Sequence, residues 1–384
     1  MDKLRLLNNP RDDDKVISAC SIFGVMNTSG ERFSGEGIIK AIANMHVRSN
    51  GLGGGFAVYG LYAQYVDQYA LHVMYLSPQG KRETEAFIRD KFDVVCAEEV
   101  PTQLIPQILN PPLVWRYFLN VGKHRLPGQS EDDYVVDRVM EINTKLIDAF
   151  VFSSGKDMAV FKGVGYPEDI AAYFRLEQYQ GYLWTAHGRF PTNTPGWWGG
   201  AHPFCILDWT VVHNGEISSY GINKRYLEQF GYNCTMQTDT EVIAYAVDLL
   251  VRKHNLPIPI VARILAPPFW FQIENYPSEQ QKLYRALRQV YSSLLLNGPF
   301  TVIIAHHNEM IGLTDRIRLR PLTVGVKGDM LYLASEESAI RLICPDLDRT
   351  WIPIGGEPIV GRLGEPLPRP RSMKTGAEVM AVVN

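Results

Sequence analysis

The sequence predicts an α+β fold in which helices cover antiparallel β-sheets. Short apolar runs joined by short turns recur along the chain, as in YALHVMYL at 69–76 and GPFTVIIAHH at 298–307, and such runs are typical of antiparallel strands. Only a few segments have the apolar spacing of a long helix, namely 132–150, 238–254 and about 278–297. Many strands with few long helices favour antiparallel sheets packed under helices.

The first part of the chain begins with a segment unlike the rest. Residues 1–19 contain RDDDK and no core pattern, so we interpret them as a mobile leader. They also lack the apolar stretch of a secretory signal. The elements predicted next are a strand at 20–26, a helix at 36–49, a glycine turn at 50–55, and strands at 56–65 and 69–76.

The segment from about 77 to 150 reads as an insertion of helix–strand character. It contains a helix candidate (ETEAFIRDKF), a strand (DVVCAEE), a proline-rich passage and the helix 132–150. After it, FVFSS, MAVFKGV and YLWTAHGRF (182–190) predict strands, and WTVVHNGEI (209–217) predicts a strand, a turn and a second strand. We therefore expect one domain over residues 20–384, interrupted by this insertion.

Composition excludes several classes of protein. Of the 384 residues, 46% are hydrophobic and 21% are charged, and the net charge is −3, so nothing attracts the chain to nucleic acid or to an anionic membrane. There is no apolar span of transmembrane length. The five cysteines are widely spaced and odd in number, which indicates reduced thiols and a cytoplasmic location.

Two residues in strand-end positions have candidate chemistry. Cys20 stands at the head of a buried strand, where a cysteine is either a small core residue or a nucleophile. Arg189 follows the strand 182–190 in a loop rich in glycine and proline, and its planar fork suits a carboxylate. The alternative for Arg189 is a structural ion pair, with Trp197 and Trp198 as core residues.

Two later motifs offer the groups that such a nucleophile needs. Asn214-Gly215 between apolar runs is a hairpin signal, but its side-chain amide and backbone N–H could also face a developing oxyanion. Asp239 follows Thr238, which with Glu241 fits a helix capping box. Alternatively, Asp239 faces a cleft and binds a cationic group of a ligand.

Metal and nucleotide sites are not predicted. The spacings of His187, His202, His213 and Cys205 match no zinc pattern. GLGGG follows a helix and precedes a strand, which is the wrong order for a dinucleotide or phosphate-binding loop. The remaining set is a thiol, an oxyanion pair, a carboxylate clamp and an acid for an ammonium. Together they suit an α-amino acid with a reactive side chain, as glutamine hydrolysis requires.

Several motifs together resemble the class II glutamine amidotransferases, which use an N-terminal nucleophile. They occur in the family's order: CSIFGV (20–25), HVRSNGLGGGFAVYG (46–60), HGRFPTNT (187–194), AHPF (201–204), VVHNGEI (211–217), TDTEV (238–242), DRIRLRPL (315–322) and ASEES (334–338). Within the family, the chain is most similar to the glutamate synthase branch. It resembles the stand-alone glutaminase subunit of an archaeal-type glutamate synthase.

The resemblance implies a fold and a set of roles. The fold is the four-layer αββα sandwich of two antiparallel sheets, the N-terminal-nucleophile hydrolase fold. By motif, the roles are Cys20 as nucleophile, Arg48 beside it, Asn214 and Gly215 as the oxyanion hole, Arg189 and Thr192 for the glutamine α-carboxylate end, and Asp239 for the α-ammonium.

The resemblance also implies maturation of the chain. In this family the free α-amino group of the nucleophile is the general base, so activity requires cleavage between Ala19 and Cys20, and residues 1–19 become a propeptide. The sequence departs from the family at Ser21, where glycine is usual, and at His46-Val-Arg48-Ser49, where His-Arg-Gly is commoner.

The partners follow from the same resemblance. The chain is expected to take L-glutamine and to supply ammonia to a separate glutamate synthase catalytic subunit. That subunit, and not this chain, is expected to hold a flavin (FMN) and an iron–sulfur cluster. The sequence leaves open homo- and hetero-oligomers. It also leaves two alternatives, a non-catalytic regulatory or scaffolding homologue and an N-terminal-nucleophile amide hydrolase with another substrate.

Overall fold

A computed structural model describes residues 20–191 and 196–370, and all structural statements refer to these residues. Their strands are β1 (Ser21–Asn27), β2 (Phe33–Ser34), β3 (Gly54–Tyr59), β4 (Tyr69–Tyr75), β5 (Asp93–Glu99), β6 (Leu113–Asn120), β7 (Ala149–Ser153), β8 (Met158–Gly163), β9 (Gln180–Gly181), β10 (Leu183–Gly188), β11 (Phe204–Ile206), β12 (Trp209–Gly215), β13 (Phe300–His306), β14 (Glu309–Thr314), β15 (Thr323–Lys327), β16 (Met330–Ala334), β17 (Arg349–Trp351) and β18 (Ile359–Arg362).

The helices are shorter and more numerous than the sequence predicts. They are α1 (Glu36–Ala43), α2 (Pro78–Lys91), α3 (Glu131–Lys145), α4 (Pro167–Tyr173), α5 (Tyr220–Glu228), α6 (Asp239–Asp248), α7 (Ile258–Leu265), α8 (Trp270–Ile273), α9 (Ser278–Val290) and α10 (Glu337–Ile343). The helix predicted at 36–49 is divided into α1 and a 3₁₀ turn at His46–Arg48, and α6 continues as a π-helical turn at Leu249–Lys253.

Two large antiparallel sheets pack face to face. The first has the strand order β17-β15-β16-β1-β10-β3-β8 and the second has the order β11-β12-β13-β14-β18. At their interface, a Cβ added to Gly24 of β1 would lie 2.8 Å from the Met310 sulfur and 3.3 Å from Ile303. Glycine at this position therefore lets the two sheets approach closely.

Helices cover the outer faces of both sheets. On the seven-stranded sheet, α1 packs on β1 and β10, α4 on β3, and α10 on β15 and β16. On the five-stranded sheet, α6 packs on β11 and β12, and α5 packs on α6. The resulting order of layers is helix, sheet, sheet, helix, which confirms the predicted αββα sandwich.

A third, four-stranded sheet lies beside the sandwich. Its order is β5-β6-β4-β7, and α2 and α3 pack on it. The segment predicted as an insertion, about 77–150, supplies β5 and β6, while β4 and β7 lie at its two ends and pair within the same sheet. The sheet therefore spans 69–153, beyond the bounds predicted for the insertion. The bounds differ because strand partners depend on contacts across the chain, which local patterns do not specify.

The hairpin predicted over 209–217 is wrong. Asn214 and Gly215 are the last two residues of β12, which pairs with β13 through Gly215↔Phe300. After Gly215 the chain leaves the sheet and reaches α5 at Tyr220. The apolar Ile217 that resembled the start of a second strand is buried in the core beside α6.

Among the described residues, no helix combines the length and apolar character needed to cross a membrane.

Candidate active site

Cys20 lies directly before β1 and contacts the segments that follow β10 and α1. Its thiol accepts a hydrogen bond from the Phe190 N–H, with 3.3 Å between nitrogen and sulfur. Its backbone carbonyl accepts from Arg48 Nε at 3.3 Å, and Arg48 Nη1 also pairs with Glu336 Oε1 at 2.9 Å. Arg48 therefore contacts the main chain of Cys20, as the sequence predicts for a residue beside the nucleophile.

The surroundings of the thiol oppose its spontaneous ionisation. Burial raises the pKa of the Cys20 thiol, while the Phe190 N–H and the charges of Arg189 and Arg320 act in the opposite direction, and Asp239 adds to the rise. Since the thiolate is the nucleophilic form, Cys20 needs a base to remove its proton at neutral pH.

Arg189 follows β10 and is almost completely buried. Its N–H donates to the Gly53 carbonyl at 2.8 Å, and its own carbonyl accepts from Ser49 Oγ at 3.0 Å. Burial lowers the pKa of the Arg189 guanidinium, and the charges of Cys20 and Asp239 partly offset that effect. The next residue, Phe190, contacts the thiol, and the Arg189 guanidinium is within electrostatic reach of both the thiol and Asp239.

The rest of the loop after Arg189 is only partly described. Thr192, predicted to bind the glutamine carboxylate, lies outside the described residues. Trp198 is buried, and Trp197 Nε1 donates to the Met236 carbonyl at 3.3 Å. The interpretation of the two tryptophans as packing residues is therefore correct for Trp198 and partly so for Trp197.

Asn214 projects from the end of β12 towards the seven-stranded sheet. Its Nδ2 donates to Ser335 Oγ at 3.5 Å, and no described residue hydrogen-bonds its Oδ1. The same Ser335 hydroxyl oxygen accepts from the N–H of Ile22, at 3.2 Å. Ser335 thus connects the Asn214 amide to the strand that begins at Cys20.

Gly215 has a conformation that only glycine adopts readily. Its φ is +150°, and a Cβ there would lie 2.0 Å from the Pro299 carbonyl oxygen. Phe300, the partner of Gly215 on β13, directs its main-chain N–H and carbonyl towards Asp315. The Asp315 N–H donates to the Phe300 carbonyl at 2.8 Å. In an antiparallel pair of this kind, the Gly215 N–H points away from β13.

Asp239 is the first residue of α6, and its carboxylate is held in the charged form. Oδ2 accepts from the Ile217 N–H at 2.9 Å, and Oδ1 is 3.6 Å from His213 Nδ1. Burial acts to raise the pKa of Asp239, but His213, the Ile217 N–H and Thr240 together lower it. A negative group at this position suits an ammonium ligand.

The capping box considered for α6 does not form. Thr238 does cap the helix, accepting from the Thr240 N–H at 3.1 Å. Glu241, however, is fully buried and accepts from the N–H groups of Thr235 and Met236, at 3.0 and 2.9 Å. It braces the turn before the helix instead of the N-cap residue, so the capping explanation holds for Thr238 alone.

The comparisons with known proteins agree with this geometry. Residues 112–346, more than half of the chain, match the family model of the class II glutamine amidotransferases. The chain belongs to the class II glutamine amidotransferases. An uncharacterized protein of Archaeoglobus fulgidus is 62% identical over 354 residues, which cover 91% of this amidotransferase and 94% of the relative.

Two more distant matches are to proteins larger than this amidotransferase. The glutamate synthase [NADPH] large chain of Bacillus subtilis is 27% identical over 222 residues, or 52% of this chain but only 14% of that protein. A solved structure of glutamine phosphoribosylpyrophosphate amidotransferase from B. subtilis, with ADP and GMP, has 16% identity and a TM-score of 0.43. The match covers 91% of this amidotransferase and 50% of that chain.

Two supporting residues of the amidotransferase were not identified from the sequence. Ser335 and Glu336 lie in the ASEES motif and hold Asn214 and Arg48 respectively. The motif was noticed, but its contacts join residues more than 100 positions apart, and no local pattern shows such contacts.

Ser21, the departure from the family pattern, is accommodated by its neighbour across the sheet. Ser21 pairs with Gly188 of β10, and a Cβ on Gly188 would lie 2.4 Å from Ser21 Oγ. The absence of a side chain at Gly188 therefore provides the space that the Ser21 hydroxyl occupies.

Three histidines named in the sequence meet behind Asp239 as a hydrogen-bonded cluster. Thr240 Oγ1 lies 3.1 Å from His213 Nδ1 and 3.2 Å from His202 Nε2, and His187 Nε2 lies 2.9 Å from the His213 carbonyl. Burial lowers the pKa of His187 to about 3, so this ring is neutral. The cluster fixes His213, which in turn contacts Asp239.

Proposed function

We propose that this chain is a glutaminase that hydrolyses L-glutamine to glutamate and ammonia through a thioester on Cys20. The observation that carries the proposal is the hydrogen bond from the Phe190 N–H, next to Arg189, to the Cys20 thiol at 3.3 Å. Asp239 approaches the same region through His213, which directly precedes Asn214 and whose Nδ1 lies 3.6 Å from Asp239 Oδ1. The charges of Arg189 and Asp239 also act on the thiol. A guanidinium and a carboxylate beside a thiol match the carboxylate and ammonium of an α-amino acid.

In the proposed reaction the Cys20 thiolate attacks the carboxamide carbon of glutamine. One N–H of Asn214 Nδ2 bonds Ser335, and the other remains available, with the Gly215 N–H, for the tetrahedral oxyanion. Each such donor is worth roughly 3–4 kcal/mol in the transition state. The C–N bond then breaks, ammonia leaves with the transferred proton, and water hydrolyses the γ-glutamyl thioester to release glutamate.

The base in this scheme is the α-amino group of Cys20. An α-amine titrates near about 8 and can accept a proton at neutral pH, whereas an internal amide nitrogen cannot. The burial-raised pKa of the thiol supports the need for such a base. We therefore propose cleavage between Ala19 and Cys20, with residues 1–19 as propeptide.

The ammonia acceptor is proposed to lie on another chain. The resemblance to the glutaminase subunit of an archaeal-type glutamate synthase, and the similarity to part of the B. subtilis large chain, support a separate glutamate synthase catalytic subunit. That subunit would bind FMN and an iron–sulfur cluster. The assembled complex should then form glutamate with glutamine as the nitrogen donor. Once Cys20 is replaced, it should accept free ammonia as the nitrogen donor but no longer glutamine.

The direct test is glutaminase turnover by the purified chain and its Cys20→Ala variant. Loss of the nucleophile should lower kcat by at least about 10³-fold. Cys96→Ala is the matched control, since Cys96 lies on β5 in the separate four-stranded sheet. Turnover that persists in Cys20→Ala would refute the proposal, and a folded wild-type chain that binds but never hydrolyses glutamine would favour the regulatory alternative.

Maturation is tested separately by N-terminal sequencing of the active protein. A terminus at Cys20 is expected. Active enzyme that retains the Ala19–Cys20 bond would contradict the role of the α-amine.

A further inference from the structure

Two turns at one end of the five-stranded sheet bring three metal-ligand side chains together. Asp208 lies in the turn between β11 and β12, while His306 and His307 lie where β13 turns into β14. One ligand atom from each of the three residues lies within 4.8 Å of the other two. Within the described ranges 20–191 and 196–370, no other set of three such residues was found this close.

The distance between His307 and Asp208 fits a shared ion. His307 Nδ1 lies 3.5 Å from Asp208 Oδ2. With metal–ligand bonds of about 2.0–2.2 Å, two ligands of a tetrahedral zinc ion are separated by roughly 3.4 Å. His306 offers the third ligand atom, within 4.8 Å of the other two.

Outer contacts hold each member of the cluster in place. Asp208 Oδ1 accepts from the Lys156 N–H at 2.6 Å, which leaves Oδ2 towards His307. His306 Nδ1 lies 3.0 Å from Asn308 Oδ1, and the Tyr182 hydroxyl donates to the His307 carbonyl. Contacts of this kind orient the ligands of metal sites.

We propose that Asp208, His306 and His307 bind one zinc-type divalent cation, with water at the open position. Imidazole and carboxylate ligands suit Zn²⁺, Co²⁺ and Ni²⁺. The ion would link the β11–β12 and β13–β14 turns and so stabilise the edge of the sandwich.

The site is remote from glutamine chemistry. β12 runs the seven residues from Trp209 to Gly215, so the cluster and the oxyanion end are about 20 Å apart at the usual rise of an extended strand. The proposed role is therefore structural, and it does not depend on the proposed glutaminase.

The alternative is an ordinary surface ion pair between His307 and Asp208. His124 and Asp93 form such a pair, at 3.2 Å, in the four-stranded sheet region, and they belong to no three-residue group of this kind among the described residues. His124→Ala is therefore the matched control for a histidine variant.

The test is titration of the metal-free full chain with Co²⁺ and Zn²⁺. Wild type and His124→Ala should bind one ion per chain, show the visible absorption of protein-bound tetrahedral Co²⁺, and gain thermal stability with Zn²⁺, because an ion that binds only the native state stabilises it. His307→Ala and Asp208→Asn should lose at least about tenfold in affinity. Asp208→Asn keeps an acceptor for Lys156 and guards against misfolding.

Two results would overturn the metal site. One is the absence of stoichiometric binding to wild type at micromolar metal. The other is equal Co²⁺ affinity in wild type and in both ligand variants. Glutaminase turnover should be the same in wild type and His307→Ala, so a failure of the proposed function would be seen independently.

Discussion

At the scale of single residues, the site depends on residues that position Asn214 and Cys20 as much as on the groups that would touch glutamine. Ser335 is buried and bonds both the Asn214 amide and the Ile22 N–H. It thus links the end of β12 to the strand that follows Cys20. In the proposed reaction, a hydroxyl in this position would influence the transition state without contacting the substrate.

We expect Ser335→Ala to lower the glutaminase kcat roughly five- to tenfold with little change in KM, since it removes about one hydrogen bond of positioning energy. Ser335→Thr keeps the hydroxyl and should retain most of the rate. Steady-state kinetics measures the change in kcat and KM, and thermal unfolding in parallel shows whether the variant has lost stability. A rise in KM at constant kcat would contradict this role for Ser335.

Asp239→Asn should act mainly on glutamine binding. The amide oxygen can still accept from the Ile217 N–H, but the negative charge that would meet the α-ammonium is lost, so kcat/KM should fall at least about 100-fold. Thr238→Ala weakens the same helix end by removing its cap and should cost about 1 kcal/mol of stability without that loss of affinity. Equal kinetics in the two variants would argue against an ammonium site.

At the scale of elements, the proposed oxyanion hole depends on the point where β12 stops. Gly215 keeps its pairing with Phe300, yet its φ of +150° turns the chain out of the sheet. The five-stranded sheet carries Asn214 and Gly215, and the seven-stranded sheet contains β1, which Cys20 directly precedes. The two groups are therefore positioned by the packing of one sheet on the other.

Gly215→Ala should abolish glutaminase activity and destabilise the chain by about 2 kcal/mol or more, since the new Cβ would overlap the Pro299 carbonyl at a positive φ. Gly221→Ala in α5 is the control. There the nearest atom to a new Cβ is Arg225 Nη1 at 3.4 Å, so a gain of roughly 0.5–1 kcal/mol is expected. Urea denaturation measures both, and unchanged stability in Gly215→Ala would contradict the structure of this turn.

At the scale of the whole molecule, burial of ionisable groups makes the stability depend on pH. Burial lowers the pKa of His72 and of His187 from 6.5 to about 3, and lowers that of His202 well below 6.5. Burial also raises the pKa of Glu241 from 4.5 to about 7. Between pH 6.5 and 4.5, these three histidines therefore bind three more protons in the unfolded chain, and Glu241 binds one more in the folded chain. Burial also lowers the pKa of His254 and of His306, which adds to the proton uptake on unfolding.

The free energy of unfolding should accordingly fall as the pH drops below about 6.5. The net difference of two protons at these four groups contributes about 3 kcal/mol per pH unit. His72 is the one of these three histidines that lies away from the candidate active site. Its replacement in His72→Gln should reduce this slope by about 1.4 kcal/mol per pH unit. His124→Gln, at a partly exposed histidine, is the control. Urea titrations from pH 5 to 7 measure the slope, and an unchanged slope in His72→Gln would contradict the assignment.

The sequence predicts local elements well where periodicity decides them and poorly where long-range pairing does. The strand at 20–26 and the helix from 238 are present close to the predicted bounds. The turn at Asn214-Gly215 and the capping role of Glu241 were wrong, because sheet pairing and burial override local preferences. Cys20, Arg189 and Asp239 could be selected from ordered motifs, but Ser335 acquires its role only through contacts between distant segments.

The most direct test of the central claim is covalent labelling with a diazoketone analogue of glutamine. Peptide mass mapping of the treated chain should find one adduct, on Cys20, with loss of glutaminase turnover in proportion to labelling, and excess glutamine should protect. The other four cysteines should remain unlabelled. Turnover that persists at full labelling, or inactivation with Cys20 unmodified, would contradict Cys20 as the nucleophile.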